Sequence, residues 1–316
     1  MKKFSDKPLF VKTPPRGARR IECIEDGNEK NTQWVYYPWN NSAVRIPQRS
    51  VFTRVRTSRN LDLITAREQK KLRKTPIAIA GLNVGNPAAL CLALEGAEEM
   101  RFADNDILTL SNLNRFRARL SDLGVNKAVL SARQVYDINP FANLRVYPDG
   151  IRPNAIDAFL TKPKVSLLIE VMDALPLKIL IRQRARALRI PVIMVTGNGP
   201  NVILDIERFD RTSSLPLLNG YLRKSVVNKI IHADPQKLTA YQKAALAKEF
   251  MGPKLSLVPR LKASFLKVGR TLPSIPQLAE ASFLRGAVLT AVTRSIIFGK
   301  RSPSGRYHVR LDTLFR

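Results

Sequence analysis

One junction restricts the fold of this chain more than any other: Ile77-Ala78-Ile79-Ala80, then Gly81-Leu82-Asn83-Val84-Gly85, then Asn86-Pro87. The first four residues are a short apolar run of buried-strand type. Asn is a favoured helix cap and Pro a favoured first helical residue, so the spacing predicts a helix from Asn86-Pro87 to about Glu95. A tight glycine turn between strand and helix aims backbone N–H groups and the positive helix end at one point, where a phosphate is the natural ligand. Asp104 follows Gly85 by 19 residues and ends the next expected strand, 100–104. There a carboxylate can accept hydrogen bonds from a ribose. Taken alone, the two-glycine turn and Asp104 also permit an NAD(P)- or FAD-linked oxidoreductase.

The flanking pattern sets the fold class. Apolar runs at 165–169 and 191–195 alternate with helical spacing at 178–188, and 202–209 is expected to close the sheet. Such alternation implies an α/β, Rossmann-like, doubly wound and mostly parallel sheet covered on both faces. Upstream, 1–55 reads as an N-terminal arm. It is polar to residue 32, then carries aromatic and β-branched clusters (Trp34-Val35-Tyr36-Tyr37, Val51-Phe52) expected as short strands, with Trp34 and Trp39 as packing residues. Thr65 and Glu68 have capping-box spacing. After Asp210, Leu-, Ala- and Lys-rich segments with helical spacing at 242–249 and 279–297 suggest a small basic helical C-terminal domain. The expected units are therefore 1–55, 56–212 and 213–316.

Charge follows the same division. The net +28 splits into +11 for 1–74, +3 for 75–212 and +14 for 213–316. A balanced middle between basic flanks allows nucleic acid, an anionic surface or an acidic protein as partner, or a plain solvated face. The most apolar late stretch, 283–298, is interrupted by Arg285 and Arg294, whereas a membrane span takes roughly 20 largely uncharged residues, so a packed helix is expected. The basic start MKKFSDKPLF leads into no apolar run of signal length, and the protein is expected in the cytoplasm. Cys23 and Cys91 form no CxxC pair and carry no zinc signal.

What narrows the chemistry is a series of short motifs: Asp104-Asn105-Asp106, Ser111-Asn112-Leu113-Asn114-Arg115, Gly124-Val125-Asn126-Lys127, Asn139-Pro140 and Met172-Asp173. Their order resembles the ThiF/MoeB/HesA-type, ubiquitin-activating-enzyme-like adenylyltransferases. That family carries a glycine turn, Asp-x-Asp, Ser-Asn-Leu-x-Arg, Gly-x-x-Lys, Asn-Pro and a strand-end Asp.

The resemblance implies a role for each matching position. Gly81 and Gly85 form the nucleotide turn. Asp104 holds the ATP ribose, Asn112 and Arg115 contact the phosphates, and Lys127 neutralises phosphate charge. Asp173 holds Mg2+. Arg59, with Arg56 second, matches an arginine that often reaches across a homodimer interface. The implied reaction is ATP-dependent AMP transfer to a carboxylate, such as the C-terminus of a small ubiquitin-like or sulfur-carrier protein. The basic flanks allow a tRNA-directed variant resembling threonylcarbamoyladenosine dehydratase, or binding of another polyanion.

Physical chemistry supports these roles independently. A carboxylate attacking an α-phosphate brings two anions together, which requires fixed cations and a metal at the growing charge. The departures are also plain. No cysteine follows Cys91, so no thioester step is expected; the turn is short of glycines; and Glu170 is unusual at the end of an apolar strand. Asn112 can instead tie its own loop, Asn83 and Asn86 can be turn and cap residues, and a non-catalytic nucleotide-binding scaffold is the bland alternative. Segments 34–69 and 205–210 resemble a bacterial subgroup whose members sometimes carry a fused nitroreductase-like domain, for which 213–316 is too short.

Overall fold

A computed structural model of the chain describes residues 6–22, 31–233, 237–252 and 256–313; Cys23 lies outside them. The N-terminal region forms a four-stranded sheet of β1 (Leu9–Val11), β2 (Arg19–Glu22), β3 (Thr32–Tyr37) and β4 (Ser42–Pro47) in the order β1-β3-β4-β2. Trp39 anchors it: the indole Nε1 donates to Asp137 Oδ1 at 3.2 Å while the ring packs near Tyr136. Val51 and Phe52, expected as extended, lie instead in α1 (Arg49–Arg56). There Phe52 can set its ring edge-on to Phe141 at 5.4 Å, so tertiary packing overrides the β-branched preference. Helix α2 (Ala66–Lys74) begins at Thr65 with both hydrogen bonds of the capping box in place.

The second sheet organises the rest of the chain. It contains β5 (Ile77–Ala80), β6 (Glu99–Ala103), β7 (Asn143–Tyr147), β8 (Leu167–Glu170), β9 (Val192–Asn198), β10 (Asn201–Glu207) and β11 (Gly305–Val309), ordered β11-β10-β9-β8-β5-β6-β7. The five strands from β7 to β9 are parallel, and β10 and β11 add antiparallel strands at the far edge. Every residue of β5 is buried, in keeping with a central parallel strand. The fold is thus the mixed α/β, Rossmann-like arrangement expected. The chain leaves β5 toward β6 and β7, then returns to β8 on its other side. In open α/β sheets that reversal is where ligands bind, outside the carboxyl ends of the strands.

The connecting helices are α3 (Leu82–Glu95), α4 (Lys127–Ile138), α5 (Ile156–Thr161), α6 (Leu175–Ala187), α7 (Lys224–Ile231), α8 (Ala240–Met251), α9 (Pro259–Ser264) and α10 (Ala279–Phe298). Helix α3 packs between α4 and α10, while α6 contacts α5 and α7.

Helix α3 starts four residues earlier than expected. Gly81, at φ 90° and ψ 110°, turns the chain at once and serves as the N-cap, which leaves Pro87 inside the helix. Proline there removes only the hydrogen bond to the Asn83 carbonyl. Asn86 is no cap: its side-chain amide donates to Ser131 Oγ at 2.9 Å and Gln134 Oε1 at 2.8 Å, joining α3 to α4.

The expected boundary at 213 does not divide the core. Helix α10 lies against α3, β9 and β10, so closely that a Cβ on Gly286 would stand 2.5 Å from Pro87 Cβ. Strand β11 pairs with β10 along five residues, so β10 is not the closing strand. Charge composition changes at 213 while the apolar pattern of the core continues through it. Among the described residues α10 is the one helix long and apolar enough to cross a membrane, but its buried Leu289 and Ile297 belong to the main hydrophobic core.

Candidate functional site

The carboxyl ends of β5, β6 and β8 meet at the glycine turn. A Cβ on Gly81 would lie 2.6 Å from Val171 O, and one on Gly85 would lie 2.5 Å from Ile79 Cγ2, so both positions depend on the missing side chain. Gly85 N–H is the first donor closed inside the helix, to Gly81 O. Leu82 N–H donates to Asp104 Oδ2 at 2.5 Å. The N–H groups of Asn83 and Val84 have no intrahelical acceptor and remain for an anion.

On the β6 side, Asp104 is buried, and burial raises its carboxyl above the ordinary value despite the N–H groups of Leu82 and Asp106 that it accepts from. Lys127, at the first turn of α4, is buried and donates from Nζ to Asp106 Oδ2 at 2.9 Å. Asn126 caps that helix through the N–H groups of Ala128 and Val129. Lys127 is thus held beside Asp106, with the Asp104 carboxylate within its electrostatic reach.

On the β8 side, Asp173 is exposed and makes no hydrogen bond or ion pair among the described residues. Arg115 is half-buried, donating from Nη1 to Ser111 O at 2.9 Å and to Asn114 Oδ1 at 2.8 Å, while its Nε is buried without a partner. Burial lowers its guanidinium, and the charge of Asp173 opposes that shift. Asn112 turns inward: its Oδ1 accepts from Thr109 N, so its carbonyl end ties its own loop.

Two groups here escaped the sequence reading. Arg285 of α10, 112 residues after Asp173, is buried to 3% exposure, and burial pushes its guanidinium down to about 10. The nearby charges of Arg115 and Asp173 pull it in opposite directions. No local motif could have announced it.

The other group is a buried ionic chain beneath the strand end. Glu170 accepts from Met172 N at 2.9 Å and Lys178 Nζ at 3.0 Å and pairs with Arg182, whose Nε donates to Glu207 at 2.9 Å. Burial would raise the Glu170 carboxyl, but Arg182 and Lys178 outweigh it and hold the group below its usual value. Lys178 also donates to Met172 O at 2.8 Å, so the turn that presents Asp173 is fastened at both its N–H and its carbonyl. The odd placement of Glu170 was the available signal, and Lys178 and Arg182, one turn apart on the next helix, were its answer.

A cavity of about 210 Å³ opens beside the turn, bordered by Asn83, Asp173 and Arg285 and otherwise mostly apolar. Arg115 and Lys127 do not line it. Arg59 lies farther away still, at the other end of α3. It is exposed beside the carboxyl end of α3, where Asn60 donates to Glu95 O and Arg56 to Ala93 O. A 14-residue helix puts that end about 21 Å from the glycine turn. Cys91 is half-buried in α3, its thiol raised by burial, as expected of a packing residue.

The ThiF family model matches residues 56–201. The uncharacterized Mycobacterium tuberculosis protein MT1398 is 34% identical over 299 residues, covering 94% of this chain and 40% of that protein. The adenylyltransferase and sulfurtransferase UBA4 of Lodderomyces elongisporus is 29% identical over 145 residues, covering 45% and 31%. This chain therefore spans less than half the length of either relative. The crystal structure of Escherichia coli tRNA N6-threonylcarbamoyladenosine dehydratase, TcdA, in complex with AMP superposes with a TM-score of 0.56 over 78% of this chain and 95% of that one, at 17% identity. The glycine turn, the Asp104 carboxylate at its base and the strand-end Asp173 all fall inside the matched span. The chain carries a ThiF family domain over residues 56–201.

Proposed function

We propose that this chain uses ATP and Mg2+ to transfer AMP to a carboxylate, without a thioester step. The supporting observation is the arrangement around the glycine turn: two N–H groups without an intrahelical acceptor, Asp104 with Lys127 in electrostatic reach on the β6 side, and the exposed Asp173 with Arg115 in electrostatic reach on the β8 side. A triphosphate over the turn takes the N–H groups of Asn83 and Val84, with Asp104 on the ribose side. Arg115 and Lys127 offset the charge that grows on pyrophosphate as it leaves.

Asp173 suits a magnesium held jointly with phosphates. Mg2+ commonly binds through one or two carboxylates plus phosphate oxygens and water. No group of three acidic, histidine or cysteine side chains able to hold a metal alone occurs among the described residues. Bound there, magnesium supplies charge neutralisation and orients the phosphates. The carboxylate is assigned to a small ubiquitin-like or sulfur-carrier protein, by analogy with adenylyltransferase relatives. Arg59 reaches the phosphates only from a second copy, so its proposed role carries a homodimer with it.

The test is ATP–pyrophosphate exchange with cell extract as the source of carboxylate. Magnesium-dependent exchange is expected, falling about a hundredfold in Lys127→Ala. Binding of ATP with no exchange from any extract would favour a nucleotide-binding scaffold instead.

A further inference from the structure

The cavity beside Asp173 has a composition that phosphate binding does not require. Its walls are mostly apolar, with Met172 and Leu175 after β8, Met194 on β9, Phe250 on α8, Leu261 on α9 and Ile275 before α10; Lys178, already bound to Glu170, and Lys248 also border it. Its polar rim faces the glycine turn through Asn83 and Asp173, and Arg285 stands on that rim.

The hydrogen bonding of Arg285 is incomplete. Its Nε donates to Ala281 O at 3.0 Å and its Nη2 to Gln277 Oε1 at 3.2 Å. Its Nη1 lies over Gly197, where a Cβ would come within 3.2 Å of it, and has no hydrogen-bond acceptor among the described residues. Nor does the guanidinium form an ion pair with any described carboxylate. A buried guanidinium without an anion is costly, and the fork geometry of arginine suits a carboxylate. Arg285 is itself held in place: Gln277 O accepts from Asn114, so the segment bearing Gln277 is tied to the loop that carries Arg115.

We propose that Arg285 and this cavity form the acceptor subsite of the adenylation reaction, and that the acceptor is a carboxylate borne on a compact apolar group. This rests on the adenylation reading and defines its acceptor by the chemistry of the cavity instead of by analogy with the relatives. An apolar cavity of about 150 Å³ holds a benzene molecule. At about 210 Å³ this one has room for a group of that size and for the carboxylate at its mouth. With one carboxylate oxygen on Arg285, the other forms the new bond to the α-phosphorus. The bond from that phosphorus to the pyrophosphate oxygen breaks, and pyrophosphate leaves with the electron pair. The apolar group can be that of a small free acid or the last side chain of a peptide.

Calorimetric titration of the ATP- and magnesium-saturated protein tests this with four probes: phenylacetate, acetate, 2-phenylethanol and the tripeptide Gly-Gly-Phe. Phenylacetate or Gly-Gly-Phe is expected to bind at least tenfold more tightly than acetate and 2-phenylethanol. The tighter of the two identifies a free acid or a peptide terminus as the source. Arg285→Gln should weaken that binding at least tenfold, Arg285→Lys should restore part of it, and Leu261→Trp should remove it by filling the cavity. Affinity equal to that of acetate, or affinity unchanged in Arg285→Gln and Leu261→Trp, overturns the proposal. ATP titrated alone into the wild-type protein reports separately on the adenylation reading: if ATP does not bind, that reading fails whatever the acids do.

Discussion

Asp173→Ala is expected to lower magnesium-dependent pyrophosphate exchange by about 10²- to 10³-fold, the usual effect of removing one preorganised charge-stabilising group. The fold should not notice. Asp173 is exposed and makes no hydrogen bond among the described residues, and substitutions at such positions change stability by about 0.5 kcal/mol or less. The turn that carries it is fastened by Glu170 and Lys178 rather than by Asp173 itself. Exchange rates and urea midpoints measured on the same preparation check both halves. A stable variant that retains full exchange would remove Asp173 from the chemistry.

Arg182→Met is expected to have the largest effect on stability. Its guanidinium has no exposed surface and lies between two buried carboxylates, Glu170 and Glu207. Deleting the cation leaves both acids buried and short of a partner, and breaking such a pair typically costs about 3–5 kcal/mol. That is a large share of the roughly 5–15 kcal/mol that holds a domain together.

The pH dependence has a definite sign. In the wild-type protein Glu170 is held below its ordinary value, so its contribution is present above about pH 4.3 and is lost as the pH falls through the lowered value. In Arg182→Met the stranded carboxyls shift upward. Their protonated forms fit the fold, so the variant's deficit should shrink at pH 5 and widen toward pH 8. Urea unfolding at the two pH values checks this. Adding Glu170→Gln and Glu207→Gln should recover part of the loss.

How much of this was readable in the residues depended on range. The strand Ile77–Ala80 was legible because a four-residue apolar run beside glycines has few other uses, and Asp104 because its distance from the turn is set by one helix and one strand. The capping box at Thr65 was legible for the same local reason. The start of α3 is not legible because Asn86-Pro87 is a strong local signal, whereas Gly81 turns the chain five residues before Asn86 under contact with Val171, a residue distant in sequence.

Arg285 and strand β11 were invisible because their meaning comes from contacts with β9 and β10 across about ninety residues or more. Composition even misdirected there, since the basic surface of 213–316 conceals a helix and a strand that belong to the central sheet. Glu170 stood out as an anomaly, and its explanation needed the helix that follows it.

Everything proposed for this site depends on where the triphosphate lies. A crystal structure of the chain with ATP and Mg2+ bound tests it most directly. Phosphate oxygens are expected at the N–H groups of Asn83 and Val84, the metal at Asp173, and Arg115 and Lys127 within contact of the phosphates. Nucleotide bound elsewhere, or at the turn with Asp173, Arg115 and Lys127 all out of reach, would contradict it.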